Sequence, residues 1–268
     1  MLELQNISKW DGGFCGEGDF LFIKPYLFIK GFATRGGYKN TLRALPLARG
    51  MHDGQFRKGT VDVDGQKFRL PYFLHSLKVC STLISLNLPL DDEELDLLYA
   101  CALLHDTYED CTQSFPNGFA GYSTIYGFPT EVGRIIELVS KHPGMSMDEL
   151  RAHFKKMADN KLASLIKLAD RSHNVEDLYN MKPEKLHKYV NETRECIYPL
   201  ATEIKMRYPE LSNGVTILKS KIVSLTELTE TIVELYDEKI AGIVADYESR
   251  LATMAGKATG AGQGGGSH

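Results

Sequence analysis

Apolar residues recur every three or four positions through most of the chain beyond Lys39, which is the spacing of amphipathic helices. The clearest case follows Pro71, a residue that suits the first position of a helix. We expect this helix to run to about Asn87, because Pro89 follows two residues later. His75 lies beside its apolar face, which is formed by Leu74, Leu77, Cys80 and Ile84.

A second helix is predicted between Asp91 and Asp106. Asp91 can cap its first turn, and Glu94 stands three residues later, where a capping-box glutamate is found. The apolar run 100–104 then leads directly to His105 and Asp106. Further helices are predicted at about 129–141, 147–157, 160–179, 183–207 and 214–253.

Two stretches show the pattern of strands. Residues 61–68 are strand-like on both sides of Asp64-Gly65, which is a favoured two-residue hairpin turn. Residues 20–29 are aromatic and aliphatic runs on either side of Lys24-Pro25, and we expect them to form short strands as well. The pattern as a whole predicts an all-α fold, a helical bundle with a small N-terminal β-hairpin extension.

These patterns divide the chain into four parts. Residues 1–40 are predicted to be an N-terminal extension of short strands, and residues 41–207 a helical domain. Residues 208–255 are predicted to be a helical extension that packs on this domain, since its apolar stripe lasts too few heptads for a coiled coil. Residues 256–268 are nearly all Gly, Ala and Ser, as in a linker with the remnant of a tag.

Composition indicates a soluble, cytoplasmic protein. The chain of 268 residues is 43% hydrophobic and 25% charged, which is ordinary for globular proteins, and its most apolar stretch, 20–29, is too short to cross a membrane. Five cysteines without a CxxC pair favour a reducing compartment. The formal net charge of −4 argues against broad nucleic-acid binding, which requires a basic face.

Candidate chemistry is concentrated in short segments that are far apart in the sequence. His75, His105, Asp106 and Asp170 supply two imidazoles and two carboxylates, and Glu109 and Asp110 follow one helical turn after the His-Asp pair. Such polar groups on apolar helices are costly to bury unless a cation pairs with them. Mixed imidazole and carboxylate ligands suit Mn, Fe or Zn better than Ca or Mg. The set therefore predicts a site for one divalent ion and water activation on it.

Each of these features has a simpler interpretation when it is taken alone. His75 alone is more often a hydrogen-bonded core histidine, and a single His-Asp dipeptide is a weak signal. Asp170-Arg171 alone is a surface ion pair of little energetic value. Upstream, Arg57-Lys58 can meet phosphates or stack on a base, or it can be a solvated basic turn. The co-occurrence of all of them favours the functional interpretation.

The order and spacing of these segments resemble the HD-type hydrolase domain of the RelA/SpoT homologues over residues 40–205. The chain ends too soon for a synthetase domain to follow, so it looks like a small alarmone hydrolase. The matching motifs are Ala48-x3-His52-x-Gly54-Gln55-x-Arg57-Lys58-Gly59, Pro71-Tyr72-x2-His75, His105-Asp106-x2-Glu109-Asp110 and Lys167-Leu168-Ala169-Asp170-Arg171-x-His173-Asn174, followed by Glu192-Thr193.

This resemblance implies an HD fold for residues 41–207 and one Mn²⁺ ion. The implied metal ligands are His75, His105, Asp106 and Asp170. It implies that Glu109 and Asp110 act as the acid/base pair, that Arg57 and Lys58 contact a nucleotide, and that Asn174 contacts its base. The implied reaction removes the 3′-pyrophosphate of (p)ppGpp or (p)ppApp, which gives the nucleoside di- or triphosphate and pyrophosphate.

The sequence leaves three hypotheses open. The first is hydrolysis of a pyrophosphorylated purine nucleotide, with either base, and with or without a cognate toxin synthetase that the chain counteracts as an antitoxin. The second is an antitoxin module that binds protein, for example through residues 20–29, and needs no catalysis. The third is another HD-type nucleotide phosphohydrolase.

Overall fold

The computed structural model describes residues 20–180 and 183–260. These residues are mainly helical, with one antiparallel pair of strands, so the predicted all-α class with a small β-hairpin is confirmed. The α-helices and strands of the described residues are α1 (Phe20–Gly36), α2 (Lys39–Met51), β1 (Phe56–Val63), β2 (Gln66–Pro71), α3 (Phe73–Ser85), α4 (Asp92–Leu104), α5 (Thr107–Asp110), α6 (Gly121–Thr124), α7 (Thr130–Val139), α8 (Met147–Met157), α9 (Lys161–Asn174), α10 (Pro183–Glu192), α11 (Tyr198–Arg207) and α12 (Ser212–Gly260).

The prediction of strands at residues 20–29 is wrong, because this segment belongs to helix α1. The buried residues Phe22, Tyr26, Ile29 and Ala33 are spaced four, three and four positions apart, so they form one helical face. Phe22 meets Phe73 of α3 edge to face, with ring centroids 5.5 Å apart. Packing on the core therefore outweighs the local strand preference. The part of this prediction that concerns residues 1–19 lies outside the described residues.

The hairpin forms where Asp64-Gly65 predicts it. Both turn residues have positive φ, 52° and 82°, as a tight two-residue hairpin turn requires. Near its base the register is interrupted between Phe56, which pairs with Pro71, and Thr60, which pairs with Arg69. This irregularity places a β-bulge in the segment that contains Arg57.

The core is built by α3, α4, α7 and α9, which pack against one another. Helix α4 begins with the predicted cap, since the Asp91 side chain accepts the Glu94 backbone N–H at 2.9 Å. Helix α9 is buried along almost its whole length, and Asn160 caps it by accepting the Ala163 N–H at 2.9 Å. These two helices give the site a rigid base.

The predicted helix at 183–207 is divided in the structure. Helix α10 ends at Glu192, a π-helical turn follows at Thr193–Ile197, and α11 begins at Tyr198. Pro199 lacks the N–H that would continue an α-helical ladder, which favours a wider turn before it. Such turns are frequent at functional sites.

The last helix extends further than predicted. The chain divides into two compact units between Val223 and Ser224, inside α12. In the first unit, Val215, Leu218 and Ile222 of α12 are buried. Helix α12 continues to Gly260, and the remainder of the predicted linker and tag lies outside the described residues. The boundaries at 40/41, 207/208 and 255/256 remain predictions. Among the described helices, none combines the length and apolar character needed to span a bilayer.

Candidate metal centre and active site

The four predicted metal ligands come from three core elements. His75 lies in the first turn of α3, and Asp170 lies near the end of α9. His105 caps the C-terminus of α4, and Asp106 precedes the short helix α5. The chain turns at this point, so consecutive side chains reach the same place.

The ligand atoms of these four residues converge. The Nε2 atom of His75 lies 3.2 Å from Nε2 of His105, 3.5 Å from Oδ2 of Asp106 and 3.1 Å from Oδ1 of Asp170. The Nε2 atom of His105 lies 3.1 Å from the Asp106 oxygen and 3.7 Å from the Asp170 oxygen. Ligands about 2.1 Å from one metal ion are separated by about 3.0–3.4 Å in octahedral or tetrahedral geometry. The five separations of 3.1–3.7 Å lie within or slightly above this range, so small movements would let these atoms share one cation.

The far sides of both imidazoles are occupied by protein groups. The Nδ1 atom of His105 lies 2.9 Å from the carbonyl oxygen of Ala102, to which it donates in the neutral tautomer that leaves Nε2 unprotonated. The Nδ1 atom of His75 is hydrogen-bonded to Nδ1 of His173. Such outer contacts fix the tautomer and orientation of metal-binding histidines. Here they direct both Nε2 atoms into the centre.

Both carboxylates are also oriented. The Tyr72 hydroxyl donates to Oδ2 of Asp106 at 2.8 Å, and the Lys167 ammonium donates to Oδ2 of Asp170 at 3.0 Å. Burial opposes ionisation of Asp106, but the charge of His105 outweighs it and lowers the pKa of this carboxyl. For Asp170, the charge of Lys167 likewise outweighs burial and holds the pKa well below its ordinary value. Both groups are therefore carboxylates, the form that binds metal.

The charge balance also fits a cation. Burial lowers the pKa of His75, whereas at His105 the neighbouring Asp106 outweighs burial and raises the pKa. A proton on His105 thus supplies the positive charge that two buried carboxylates require. A divalent ion supplies the same charge and leaves both imidazoles neutral. His75, His105 and Asp106, together with the adjacent Asp170, form a His/Asp set that can hold one divalent metal.

Glu109 and Asp110 stand at the open side of this centre. Both are exposed residues of α5. The Glu109 Oε1 atom accepts the backbone N–H of Lys141 at 2.8 Å. Although Asp110 is exposed as a residue, its carboxyl is partly buried, and this burial together with the charges of Asp106 and Glu109 raises its pKa to about 6. Asp110 can therefore take up and release a proton near neutral pH.

Two of the three predicted nucleotide contacts meet beside the metal ligands. The Arg57 guanidinium donates from Nη2 to Oδ1 of Asn174 at 2.9 Å, and Asn174 donates from Nδ2 to Asp170. Arg57 lies in the part of β1 where the strand register is interrupted, and such irregularities can redirect a side chain. Lys58 follows in the same strand, but its side chain lies outside what the structure describes.

The site also includes residues to which the sequence assigned no role. Tyr72 belongs to the motif Pro71-Tyr72-x2-His75, and its place three residues before His75 is the sequence feature that indicates a role. Lys141 gave no signal, because its contact with Glu109 uses a backbone N–H that every residue except proline has. Glu192 stands in the motif pair Glu192-Thr193, which indicates no role for its side chain.

Comparison with protein families identifies the class of this domain. Residues 72–175 match the family described as the HD domain, and they contain the whole four-residue set. This segment of the chain is therefore similar to HD domains.

Individual relatives give a closer placement. Over 202 residues, 70% of this chain, it is 29% identical to the bifunctional (p)ppGpp synthase/hydrolase SpoT of Escherichia coli K12 and covers 25% of that protein. It is 28% identical over 249 residues to the probable GTP pyrophosphokinase of Mycobacterium leprae, which is 88% of this chain and 29% of the relative. It is 31% identical over 146 residues to the GTP pyrophosphokinase rsh of Brucella ovis, which is 51% of this chain and 18% of the relative.

These comparisons confirm the resemblance to the RelA/SpoT homologues in their HD-type part. The chain spans about a quarter of the length of the curated relatives it matches, for example 25% of the Escherichia coli protein. The match therefore does not by itself assign the substrates of these relatives to this chain.

Proposed function

We propose that this chain is a metal-dependent hydrolase that removes the 3′-pyrophosphate of a pyrophosphorylated purine nucleotide and acts in the cytoplasm. The observation that carries the proposal is that the Nε2 atoms of His75 and His105 lie 3.1–3.7 Å from carboxylate oxygens of Asp106 and Asp170, beside the Asp110 carboxyl. The relatives support the substrate class, since one from Escherichia coli O157:H7 is named guanosine-3′,5′-bis(diphosphate) 3′-pyrophosphohydrolase.

The four residues would hold one ion, for which Mn²⁺ is the proposed identity because imidazole and carboxylate ligands suit it. When bound, the ion supplies Lewis acidity, which makes water a stronger acid and offsets negative charge on a phosphoryl group. Tyr72 and Lys167 hold Asp106 and Asp170 in place through their hydrogen bonds. This ready-made arrangement lowers the cost of ordering the ligands.

Proton transfer is assigned to the exposed pair. Asp110, with its pKa raised to about 6, is ionised at neutral pH and can accept the proton of the attacking water. Glu109, held by the Lys141 N–H, orients the same water. As the bond between phosphorus and the 3′-oxygen of the nucleoside breaks, the protonated carboxyl gives this proton to the 3′-oxygen, and pyrophosphate leaves.

Substrate binding is assigned to the bulge and to the end of α9. Arg57 can meet phosphate oxygens with its forked donors, and Lys58 adds a second cation in the same strand. Asn174 has an amide that can pair with a base edge once the nucleotide displaces Arg57 from it. The base, guanine or adenine, is left to experiment.

The test is incubation of the protein with Mn²⁺ and a panel of ppGpp, ppApp, NADPH and dNTPs. We expect Mn²⁺-dependent release of pyrophosphate from a 3′-pyrophosphorylated nucleotide, and its loss in Asp106→Ala. Asp237→Ala, which changes an exposed residue of α12, is the control and should act like the wild type. Turnover of dNTPs alone would indicate a different HD phosphohydrolase.

One observation favours a second candidate, an antitoxin that binds a synthetase. Leu27 and Phe28 on α1 are 54% and 48% exposed, so this helix presents apolar surface. If wild type and Asp106→Ala neutralise a toxic alarmone synthetase equally, and neither turns over a nucleotide, binding rather than hydrolysis is the function.

A further inference from the structure

Three cations gather near the metal centre, and two of them share a single carboxylate. Lys141 follows the end of α7, and Lys167 and Arg171 lie on α9 on either side of Asp170. Lys167 pairs with Asp170. Glu192, the last residue of α10, pairs with both Arg171 and Lys141 through the same oxygen, Oε1. Glu192 is therefore the counter-charge that two of the cations share.

The ion pairs of Glu192 are largely shielded from water. The side chains of Glu192 and Arg171 are 12% and 3% exposed. Burial alone would raise the pKa of Glu192, but the charges of Arg171 and Lys141 lower it to about 2. Conversely, burial and the nearby Lys167 and Arg171 lower the pKa of Lys141. Without Glu192, repulsion from the other two cations would drive the Lys141 ammonium away.

Both cations that pair with Glu192 are linked to a residue of the proposed reaction. Arg171 is the neighbour of Asp170 on a buried helix, and it is fixed further by donating from Nη1 to Thr193 at 2.9 Å. Lys141 donates its backbone N–H to Oε1 of Glu109 at 2.8 Å. A displacement of Lys141 therefore displaces the group that holds Glu109.

We infer that Glu192 and Lys141 are positioning residues, which fix the Glu109 carboxylate relative to the metal-binding end of α9. This inference rests on the proposed function and deepens it, because it names what holds the proton-handling side of the site at its working distance. Neither residue touches the metal ligands or the nucleotide contacts by hydrogen bond or ion pair in the described residues, so the effect is transmitted through Glu109.

The sharpest variant is Lys141→Met, which keeps the aliphatic stem and the backbone N–H but removes the ammonium. It leaves the buried Glu192–Arg171 pair intact. Arg151→Met is the matched control, since Arg151 pairs with Glu195 on an exposed surface near the same π turn. Glu192→Gln is the second variant and removes the shared charge itself.

The first measurement is turnover of ppGpp and ppApp with Mn²⁺. We expect Lys141→Met to lower kcat about tenfold with KM and Mn²⁺ affinity unchanged, as loss of positioning costs rate and not binding. In a Glu109→Gln background the same substitution should cost less than about twofold, because the group it positions is already inactive. Equal losses in both backgrounds would show a general structural effect and overturn the inference.

The second measurement does not depend on activity. Hydrogen exchange of the backbone amide at position 141, followed by NMR, should speed up in Lys141→Met and Glu192→Gln but not in Arg151→Met. Unchanged exchange at this amide contradicts the inference. If the wild type hydrolyses no nucleotide, the proposed function fails, and the exchange experiment still decides whether the Glu192 pairs hold this loop.

Discussion

The candidate site has two parts that contain the same kinds of groups in different surroundings. Its floor consists of the four residues His75, His105, Asp106 and Asp170, and its mouth consists of Arg57, Glu109 and Asp110. The floor carboxylates are 17% and 7% exposed and each accepts hydrogen bonds from neighbouring side chains. Both mouth carboxylates belong to exposed residues, and partial burial together with the acidic neighbours Asp106 and Glu109 raises the pKa of Asp110.

This difference shows how one chain assigns different tasks to similar carboxylates. Partners that carry positive charge keep Asp106 and Asp170 ionised in spite of burial, so they suit metal binding. Partial burial and acidic neighbours raise the pKa of Asp110 to about 6, so this carboxyl suits proton transfer. The assignments follow from environment and not from residue type.

We expect the largest loss of turnover when a metal ligand in the floor of the site is replaced. Asp170→Asn keeps the shape of the side chain but removes a ligand charge, so we expect turnover to fall by about 1000-fold or more, since the metal contributes several kcal/mol. Mn²⁺ affinity, measured by titration calorimetry, should fall with it. Asp148→Asn, at an exposed position, should change neither. Full Mn²⁺ affinity in Asp170→Asn would remove Asp170 from the ligand set.

The next effect is on the mouth. Asp110→Asn should lower kcat about 100- to 10,000-fold, which is the contribution of a general base, while Mn²⁺ affinity stays at the wild-type value. Rates and calorimetry on the same sample separate the two outcomes. A parallel loss of Mn²⁺ affinity would mean that floor and mouth are one functional unit.

A smaller effect is expected at the outer contact of the floor. Tyr72→Phe removes the hydroxyl that donates to Asp106, and such losses typically cost about 10- to 100-fold in metal affinity. Tyr126→Phe removes a hydroxyl bonded to the carbonyl of Ser114 and serves as control. Equal affinities of the two variants would show that Tyr72 does not support the ligand.

The smallest expected effect is a shift in the pKa of the Asp110 carboxyl. In the metal-free protein the Asp110 carboxyl should titrate near pH 6, as followed by carbon NMR. Because this pKa lies above that of the unfolded chain, the group's stabilising contribution is present at low pH and is lost as pH rises through about 6. Bound Zn²⁺, a diamagnetic cation, should lower the pKa. A value near 4 without metal would contradict the assignment.

Much of the site could be predicted because its residues stand in short motifs with fixed spacing. The helices after Pro71 and Asp91 followed from capping and apolar periodicity, and the hairpin followed from Asp64-Gly65. The proximity of His75 to Asp170 was inferred from the co-occurrence of metal-binding residue types and from the resemblance, because no local pattern relates residues that are so far apart in sequence.

What could not be predicted depends on tertiary packing or on backbone groups. Aromatic residues around Lys24-Pro25 suggested strands, although the buried positions Phe22, Tyr26 and Ile29 already had helical spacing. The contact of Lys141 with Glu109 uses a main-chain donor and leaves no trace in residue type. The π turn after Glu192 depends on Pro199 together with the side chains around it.

The hairpin places a proposed nucleotide-binding residue near its base and a solvent-exposed turn at its tip. Arg57 lies within the irregular stretch between Phe56 and Thr60, while Asp64-Gly65 forms a tip that is exposed to solvent. Changes in the length or sequence of the tip therefore need not be transmitted to Arg57. This makes the tip a suitable place for a fluorescent label or a short insertion, from which the arrival of a nucleotide at the bulge can be followed in an otherwise unaltered protein.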